Sequence, residues 1–344
     1  MKRRAVLKLL ALSSAFPALP TRVLAAFRSV HSSLPARPLF KALNPRSLIF
    51  DAHSRKVTGV RAIDSQTRGA LEFLAPLVFL CASTLESTRI LFNSATAEFS
   101  SGLANSSGEL GHNLMDHIRG GGATAIIPGN SDRTSFGNPP NIVYMPRFGN
   151  VRQKQAGFGF LRGYGFQGES EQEGWERGAA STAFGAEFKH AVSRAGLRHF
   201  SGYGECLPNH DNFVELDKST ADAWGIPSLK IHCAFGENEF AIRKDMSIAR
   251  AEMLSAVGAI SIQPFMDDDP PGFSVHEMGT ARMGRDPKTS VLNSWNQCHD
   301  IKNRFITDGG CMTSSGCVNP SLTYVALTAR ACDHAVNLMK RSEL

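Results

Sequence analysis

Three short blocks near the end of the chain decide its fold: HEMGTARMG at 276–284, FITDGG at 305–310 and CVNPSLT at 317–323. In the last block Asn319 suits a helix N-cap, because its side-chain oxygen accepts a backbone N–H of the first turn. Pro320 suits the first helical position, where its missing N–H costs nothing. The sequence therefore predicts a long helix that begins directly after Asn319.

The residues that follow Pro320 recur at helical spacing and are apolar or small, apart from one aspartate. These residues are Leu322, Val325, Ala326, Ala329, Cys332, Asp333 and Val336. The pattern predicts a helix with one buried face. The N-terminus of such a helix offers free N–H groups and partial positive charge, which suit an anionic ligand. With the short strand 304–307 and the glycine turn 308–310, it forms a wall suited to a cofactor.

Composition and charge describe a globular chain of 344 residues, 42% hydrophobic, with a net charge of +6. Residues 1–26 carry five basic residues and no acid, so they leave only +1 for the rest. That balance gives no support for a nucleic-acid partner. The seven cysteines include no Cys-x-x-Cys, so we assign no metal site and expect free thiols, with a Cys311–Cys317 bridge as the alternative.

Residues 1–26 are interpreted as an export signal. A basic start precedes the apolar run 5–19, and residues 23–26 offer a small-residue cleavage site. The run RRAVLK at 3–8 is similar to the twin-arginine signal. The alternative is an ordinary basic, amphipathic N-terminus. Under the first interpretation the protein is periplasmic.

Strands and helices are then assigned along the chain. Residues 48–50 and 57–63 predict a hairpin, and the apolar run 77–82 predicts a strand buried on both faces. Residues 83–86 have the pattern of a capping box before a helix. Between 119 and 265, strand candidates are separated by turns, which favours an antiparallel sheet. These strands are 123–127, 142–145, 161–167, 213–216 and 229–232, and a helix is predicted over 239–257.

The three terminal blocks, in this order, resemble the C-terminal signature of the glucose–methanol–choline (GMC) flavin oxidoreductases. Among these they are most similar to the gluconate 2-dehydrogenase flavoprotein. The shared patterns are His-x-x-Gly-Thr-x-x-Met-Gly at 276–284, Asp-Gly at 308–309 and Asn-Pro-x-Leu-Thr at 319–323. The run GHNLMDH at 111–117 also resembles the family, and we interpret Asp116 and His117 as structural.

The resemblance implies an α/β and α+β fold. An incomplete FAD/NAD(P)-binding Rossmann-like domain is expected at 27–118, an antiparallel-sheet substrate domain at 119–265, and a C-terminal segment at 266–344. It also implies FAD as cofactor and a small alcohol, sugar or aldonic acid as substrate. His276 would be the catalytic base, because histidine titrates near working pH, and Asn319 would hold the substrate oxygen. The residues placed against the cofactor are Ala82, Ser83, Asp308, Gly309, Asn319 and Pro320.

One expected element is missing. Family members begin with a strand and a Gly-x-Gly-x-x-Gly turn that cradles the FAD pyrophosphate, and no such turn follows a strand and opens a helix here. Without that first strand, the strand at 77–82 is expected to have an exposed edge. Two interpretations compete: an oxidoreductase that is truncated or completed by another polypeptide, with an electron-acceptor subunit or quinone, and an inactive remnant or scaffold that retains the substrate domain.

Overall fold

The computed structural model describes residues 43–128, 142–151, 159–172, 182–192 and 195–344. The predicted export signal at 1–26 lies outside the described residues. The strands are β1 (Leu43–Asp51), β2 (Lys56–Asp64), β3 (Ala70–Leu74), β4 (Val78–Leu80), β5 (His117–Ile118), β6 (Gly121–Ile126), β7 (Ile142–Met145), β8 (Tyr164–Gln172), β9 (Ala195–Glu205), β10 (Phe213–Ala221), β11 (Pro227–His232), β12 (Ile260–Met266) and β13 (Arg304–Ile306). The helices are α1 (Thr84–Phe92), α2 (Ala186–Val192), α3 (Glu237–Ala256) and α4 (Ser321–Lys340).

The predicted hairpin at the start of the described chain is confirmed. β1 and β2 pair antiparallel, with Leu48 opposite Val60 and Phe50 opposite Val57. β3 adds a third strand beside β2. It was not predicted, because its run ALEFL carries no clear alternation, and all five of its residues are exposed. The buried hairpin residues Leu48 and Val57 belong to a hydrophobic cluster that also includes Ile90 and Leu91 of α1.

β4 and β13 form a two-stranded parallel sheet. Val78 lies opposite Arg304 and Leu80 opposite Ile306, although more than 220 residues separate them in sequence. β13 is buried throughout, and β4 is buried at Val78 and Leu80. The predicted burial of 77–82 on both faces is confirmed only in part, because Phe79 is half-buried and Cys81 is exposed. Within the described residues β4 has no second neighbour. The expectation of an exposed edge at this strand is therefore confirmed.

The antiparallel sheet predicted between 119 and 265 is also confirmed. Its strand order is β12-β6-β9-β8-β7, and β5 pairs with β9. β10 and β11 pair as a separate hairpin. The letters GYGFQG at 163–168 have the Gly-x-Gly-x-x-Gly spacing, but they lie at the start of β8 between β7 and β9. They form sheet and not a phosphate-binding turn.

Helix α3 packs closely on this sheet because glycines lie beneath it. A Cβ on Gly202 would lie 2.5 Å from the Met246 sulfur, and one on Gly121 would lie 2.4 Å from the Arg243 carbonyl oxygen. Met246 and Ile242 are fully buried at this contact. The close approach fixes α3 against β6 and β9, and β9 in turn pairs with β5, which carries His117.

The start of α4 differs from the prediction. The helix begins at Ser321, Pro320 is its N-cap residue, and no side chain caps it. The amide oxygen of Asn319 instead accepts a hydrogen bond from Gln167 Nε2 of β8, at 3.0 Å. The assignment of Asn319 as N-cap is therefore wrong, because the sheet competes for its amide. The first-turn N–H groups of α4 are left without a side-chain acceptor.

The predicted buried face of α4 is also wrong within the described chain. Leu322 is 64% exposed and Val325 is 48% exposed, and most of the predicted set is exposed with them. The residues that α4 buries are Ala331, Ala335 and Leu338, which pack with Phe79 and Phe305 of the parallel pair. Periodicity identified an apolar face correctly, but nothing in the described chain covers it.

The capping box predicted at the start of α1 does not form. Ser83 is the N-cap residue, but its φ is 85° and its side chain makes no capping bond. Glu86 instead pairs with Arg89 one turn later, at 3.3 Å. The helix itself begins where predicted, at Thr84.

Asn303 joins the hairpin to the parallel pair. Its Oδ1 accepts the Val57 N–H at 3.0 Å, and its Nδ2 donates to the carbonyl oxygens of Val57 (2.6 Å) and Pro76 (2.9 Å). Asn303 is 1% exposed, so no water replaces a lost partner. Its amide therefore sets the position of β4 relative to β2.

We expect Asn303→Ala to lower the free energy of unfolding by about 2–4 kcal/mol, since it leaves buried backbone groups without partners. The matched control is Asn337→Ala on the exposed side of α4, which should change it by less than about 0.5 kcal/mol. Urea unfolding followed by circular dichroism measures both. Equal midpoints for the two variants would contradict this role for Asn303.

Candidate cofactor and catalytic site

The turns after β4 and β13 meet because carboxyl ends of parallel strands lie at the same edge of a sheet. Asp308, 8% exposed, accepts a hydrogen bond from the Ser87 hydroxyl of α1. The backbone N–H groups of Ala82 and Ser83 also stabilise its carboxylate. Burial raises the pKa of Asp308 against these donors. The structure thus brings together three of the residues predicted to lie near the cofactor.

Gly309, the fourth of these residues, is packed between α1, the 276–284 block and α4. A Cβ here would lie 2.3 Å from Thr84 Oγ1, 2.5 Å from the Glu277 carbonyl oxygen and 2.8 Å from the Tyr324 hydroxyl. Thr84 Oγ1 donates to the same Glu277 carbonyl at 2.5 Å. Burial raises the pKa of Tyr324, so this phenol stays protonated. Only glycine fits this junction, which holds the second and third blocks against the first.

Asp116 fixes the loop that leads into His276. Its Oδ2 accepts the N–H groups of Gly272 (2.8 Å) and Ser274 (3.1 Å), and its Oδ1 accepts those of His117 (2.7 Å) and His276 (3.2 Å). Asp116 is 2% exposed, and backbone N–H donors satisfy both oxygens of its carboxylate. The structural interpretation of Asp116 fits these contacts, and the contacts are what place His276.

His276 lies beside His117, with ring centroids 5.0 Å apart. Its Nδ1 is buried without a hydrogen-bond partner among the described residues. The Nε2 atom is therefore the ring nitrogen of His276 with access to a reactant. His117 is completely buried, and its pKa is lowered to about 4 by burial and by His276, with Asp116 acting in the opposite direction. His117 is therefore neutral at pH 7.

Asn319 and His276 are held by different elements: Asn319 by Gln167 of β8, and His276 by Asp116 before β5. In the described part of the chain no hydrogen bond joins their side chains. They are linked through His117, whose Nε2 lies 3.2 Å from the carbonyl oxygen of Ser315, four residues before Asn319. Ser315 also receives the N–H of Cys206 on its hydroxyl at 3.0 Å. Pro320 is buried at the start of α4.

Three neighbours of the site were not assigned to it from the sequence: Ser87, Gln167 and Tyr324. Ser87 lies in α1 and Tyr324 in α4, and each fits the pattern of an ordinary helix residue, while Gln167 lies in β8. His117 is different, because the motif GHNLMDH at 111–117 points to it. The signal was present, but only the fold shows that His117 lies against His276.

The described ranges hold neither a cluster of metal-ligand side chains nor a membrane-spanning helix. There, no group of three or more His, Cys, Asp or Glu side chains is arranged to hold a metal ion. None of the described helices is long and apolar enough to cross a membrane. All seven cysteines are free, so Cys311 and Cys317 are not bridged.

Residues 208–328 match the family described as GMC oxidoreductase. This match to the family's C-terminal domain confirms the resemblance seen in the sequence. It is 32% identical over 289 residues to 2-methyl-1,2-propanediol dehydrogenase of Mycolicibacterium austroafricanum, covering 81% of this chain and 51% of the relative. It is 26% identical over 340 residues to the fructose dehydrogenase large subunit of Gluconobacter japonicus, covering 92% and 58%.

The chain is also similar to the gluconate 2-dehydrogenase flavoprotein of Pantoea cypripedii, in agreement with the resemblance seen in the motifs. The two are 24% identical, and the match covers 80% of this chain and 46% of the relative. A solved formate oxidase variant of Aspergillus oryzae has a TM-score of 0.54 at 15% identity, covering 87% of this chain and 60% of that one. This second likeness shows the fold alone. The chain spans about half the length of the curated relatives it matches.

We expect Asp116→Asn to lower the free energy of unfolding by about 2–4 kcal/mol, because the new NH₂ group faces two backbone donors. It should also release the loop 272–276, so the imidazole resonances of His276 should broaden or shift. Asp211→Asn, on an exposed loop, is the matched control. Urea unfolding and histidine NMR test both parts. An unchanged His276 signal in the Asp116 variant would contradict the positioning role.

Proposed function

We propose that this chain is the C-terminal part of an FAD-dependent oxidoreductase that acts on the CH–OH group of an alcohol, sugar or aldonic acid. The observation that carries the proposal is the uncapped N-terminus of α4 beside the turns that follow two parallel strands. Relatives described as a diol dehydrogenase and a fructose dehydrogenase large subunit support the substrate class.

The residues present fit a flavin at this edge of the sheet. The first turn of α4 has no side-chain acceptor, so its N–H groups and the helix dipole are free to stabilise an anionic ring. Asn319 and Pro320 lie at that turn. Ala82, Ser83, Asp308 and Gly309 lie at the carboxyl ends of parallel strands, where open α/β sheets bind nucleotides. Bound FAD would supply the acceptor for the hydride that leaves the substrate carbon.

His276 is the proposed base of this reaction. Its buried Nδ1 and accessible Nε2 present one nitrogen to the hydroxyl proton of the substrate. Asn319 is proposed to hold the substrate oxygen through its Nδ2, since its Oδ1 is already bonded to Gln167. Proton removal from the hydroxyl makes departure of the hydride favourable, which is where a positioned base contributes to the rate.

A further segment, outside the described residues, is needed to complete the nucleotide site. β4 has one free edge within the described chain, and the unpaired backbone groups of such an edge accept a further strand. The exposed apolar face of α4 lies opposite the face that packs on Phe79 of β4. We infer that a segment carrying a strand and a Gly-x-Gly-x-x-Gly turn pairs with β4 and covers this face.

The proposal also includes the cellular location of the protein and its electron acceptor. The basic, acid-free leader at 1–26 supports twin-arginine export and a periplasmic location, which cell fractionation and N-terminal sequencing test. An electron-acceptor subunit or a quinone would then reoxidise the flavin, as the description of one relative as a large subunit suggests.

The function is tested by mixing the chain with excess FAD, alone and with the polypeptide encoded upstream of it, and recording visible spectra after desalting. We expect a retained flavin band only with the second polypeptide. His276→Ala should keep the band but lower kcat towards alcohols, sugars or aldonic acids by about 10²–10⁴-fold, whereas exposed His53→Ala should not. A colourless product in both mixtures would favour the inactive scaffold.

The exposed apolar face of α4, which is proposed to bind the added segment, is tested by placing one charge on it. Val325→Glu should abolish co-purification of the upstream polypeptide, because burying an unpaired carboxylate costs several kcal/mol. Val257→Glu makes the same change at another exposed valine, after α3, and should leave co-purification intact. Equal binding by both variants would show that α4 is not the docking face.

A further inference from the structure

Two buried ring nitrogens, one of them in the proposed base itself, have no hydrogen-bond partner among the described residues. They are Nδ1 of His117 and Nδ1 of His276. Buried polar atoms in folded proteins are nearly always hydrogen-bonded, so each of these needs an explanation. The two rings lie 5.0 Å apart between centroids, tilted by 57°. At that separation a single N–H···N hydrogen bond of ordinary length can join the two imidazoles once their nitrogens are aligned.

The tautomer of His117 follows from its other nitrogen. Nε2 lies 3.2 Å from the carbonyl oxygen of Ser315, and a carbonyl oxygen only accepts hydrogen bonds. Nε2 therefore carries the proton. Since the ring is neutral at pH 7, Nδ1 of His117 has a lone pair and acts as an acceptor.

His276 must have the opposite tautomer to His117, with its proton on Nδ1. For Nε2 to accept a proton from a reactant, the neutral ring must carry its own proton on Nδ1. That buried N–H needs an acceptor. Asp116, the charged group nearest to both rings, already receives four backbone N–H groups on its two oxygens. Nδ1 of His117 is therefore an acceptor that lacks a donor, and the neighbouring Nδ1–H of His276 is a donor that lacks an acceptor.

We propose that His117 is a positioning residue: its Nδ1 accepts a hydrogen bond from Nδ1–H of His276 and so keeps Nε2 of His276 free for the reactant. Ser315 and Asp116 hold His117 in place from two sides, through its ring and its backbone N–H. The proposed hydrogen bond requires a rotation of the His276 ring that turns its Nδ1 towards Nδ1 of His117. The proposal rests on the proposed function only for the role of Nε2 as base, because the tautomer is a property of the chain itself.

The test is long-range proton–nitrogen NMR of the full chain labelled with ¹⁵N-histidine, which distinguishes protonated from unprotonated ring nitrogens. His276→Gln assigns the signals. We expect His276 in the native chain to carry its proton on Nδ1. Most free histidine carries it on Nε2, so this result requires a specific acceptor.

Two substitutions of His117 separate positioning from packing. His117→Asn places an amide oxygen where Nδ1 was and should keep the His276 proton on Nδ1. His117→Gln keeps a donor towards Ser315 but removes the acceptor at Nδ1, so it should move the proton to Nε2. Unfolding in urea monitors both variants, and the tautomer is compared where each is folded.

In the flavin-loaded enzyme, His117→Gln should lower kcat by at least about tenfold with KM little changed, while His117→Asn should recover most of kcat. A native His276 protonated on Nε2, or the same tautomer in both variants, would overturn the proposal. A tautomer that moves as expected without any change in kcat would support the hydrogen bond and contradict the role of His276 as base.

Discussion

The carboxylate of Asp116 makes the contacts on which the position of the His276 loop depends. It lies directly before the short strand β5 of the antiparallel sheet, and its two oxygens accept N–H groups from residues 156 to 160 positions later. One buried charge thus joins the sheet to the loop that carries His276. Backbone donors satisfy this charge, so its position is fixed by the chain path and not by a mobile cationic side chain. A carboxylate held in this way makes a rigid support for the imidazole.

Much of the architecture could be predicted because it is local. The hairpin β1–β2, the buried strand β4 and helix α3 each follow from hydrophobic period and turn chemistry over about ten to twenty residues. The central strand β9 was missed, since its glycines, such as Gly202 and Gly204, break the alternation that identifies a strand. Those same glycines let α3 approach the sheet closely. The feature that hid the strand from a pattern search is therefore a requirement of tertiary packing.

The errors at α4 and α1 have a different cause. Periodicity showed which face of α4 is apolar, but burial depends on what lies opposite that face, and the described chain places nothing there. Asn319 and Ser83 are both good caps by residue type. Gln167 takes the amide of the first, and a left-handed backbone turns the side chain of the second away from its helix. At both positions a tertiary contact or the backbone conformation overrode the local preference.

Two surfaces of α4 are incomplete within the described residues: its uncapped N-terminus and its exposed apolar face. The N-terminus borders the proposed flavin position. In the proposed assembly, the segment that covers the apolar face also brings the pyrophosphate-binding turn to the flavin. Binding of the segment and binding of the flavin are therefore linked equilibria, and each must strengthen the other by the same free energy. In this proposal the chain supplies the base, its support and one wall of the site, while the free energy that closes the site comes from the apolar area that the added segment buries.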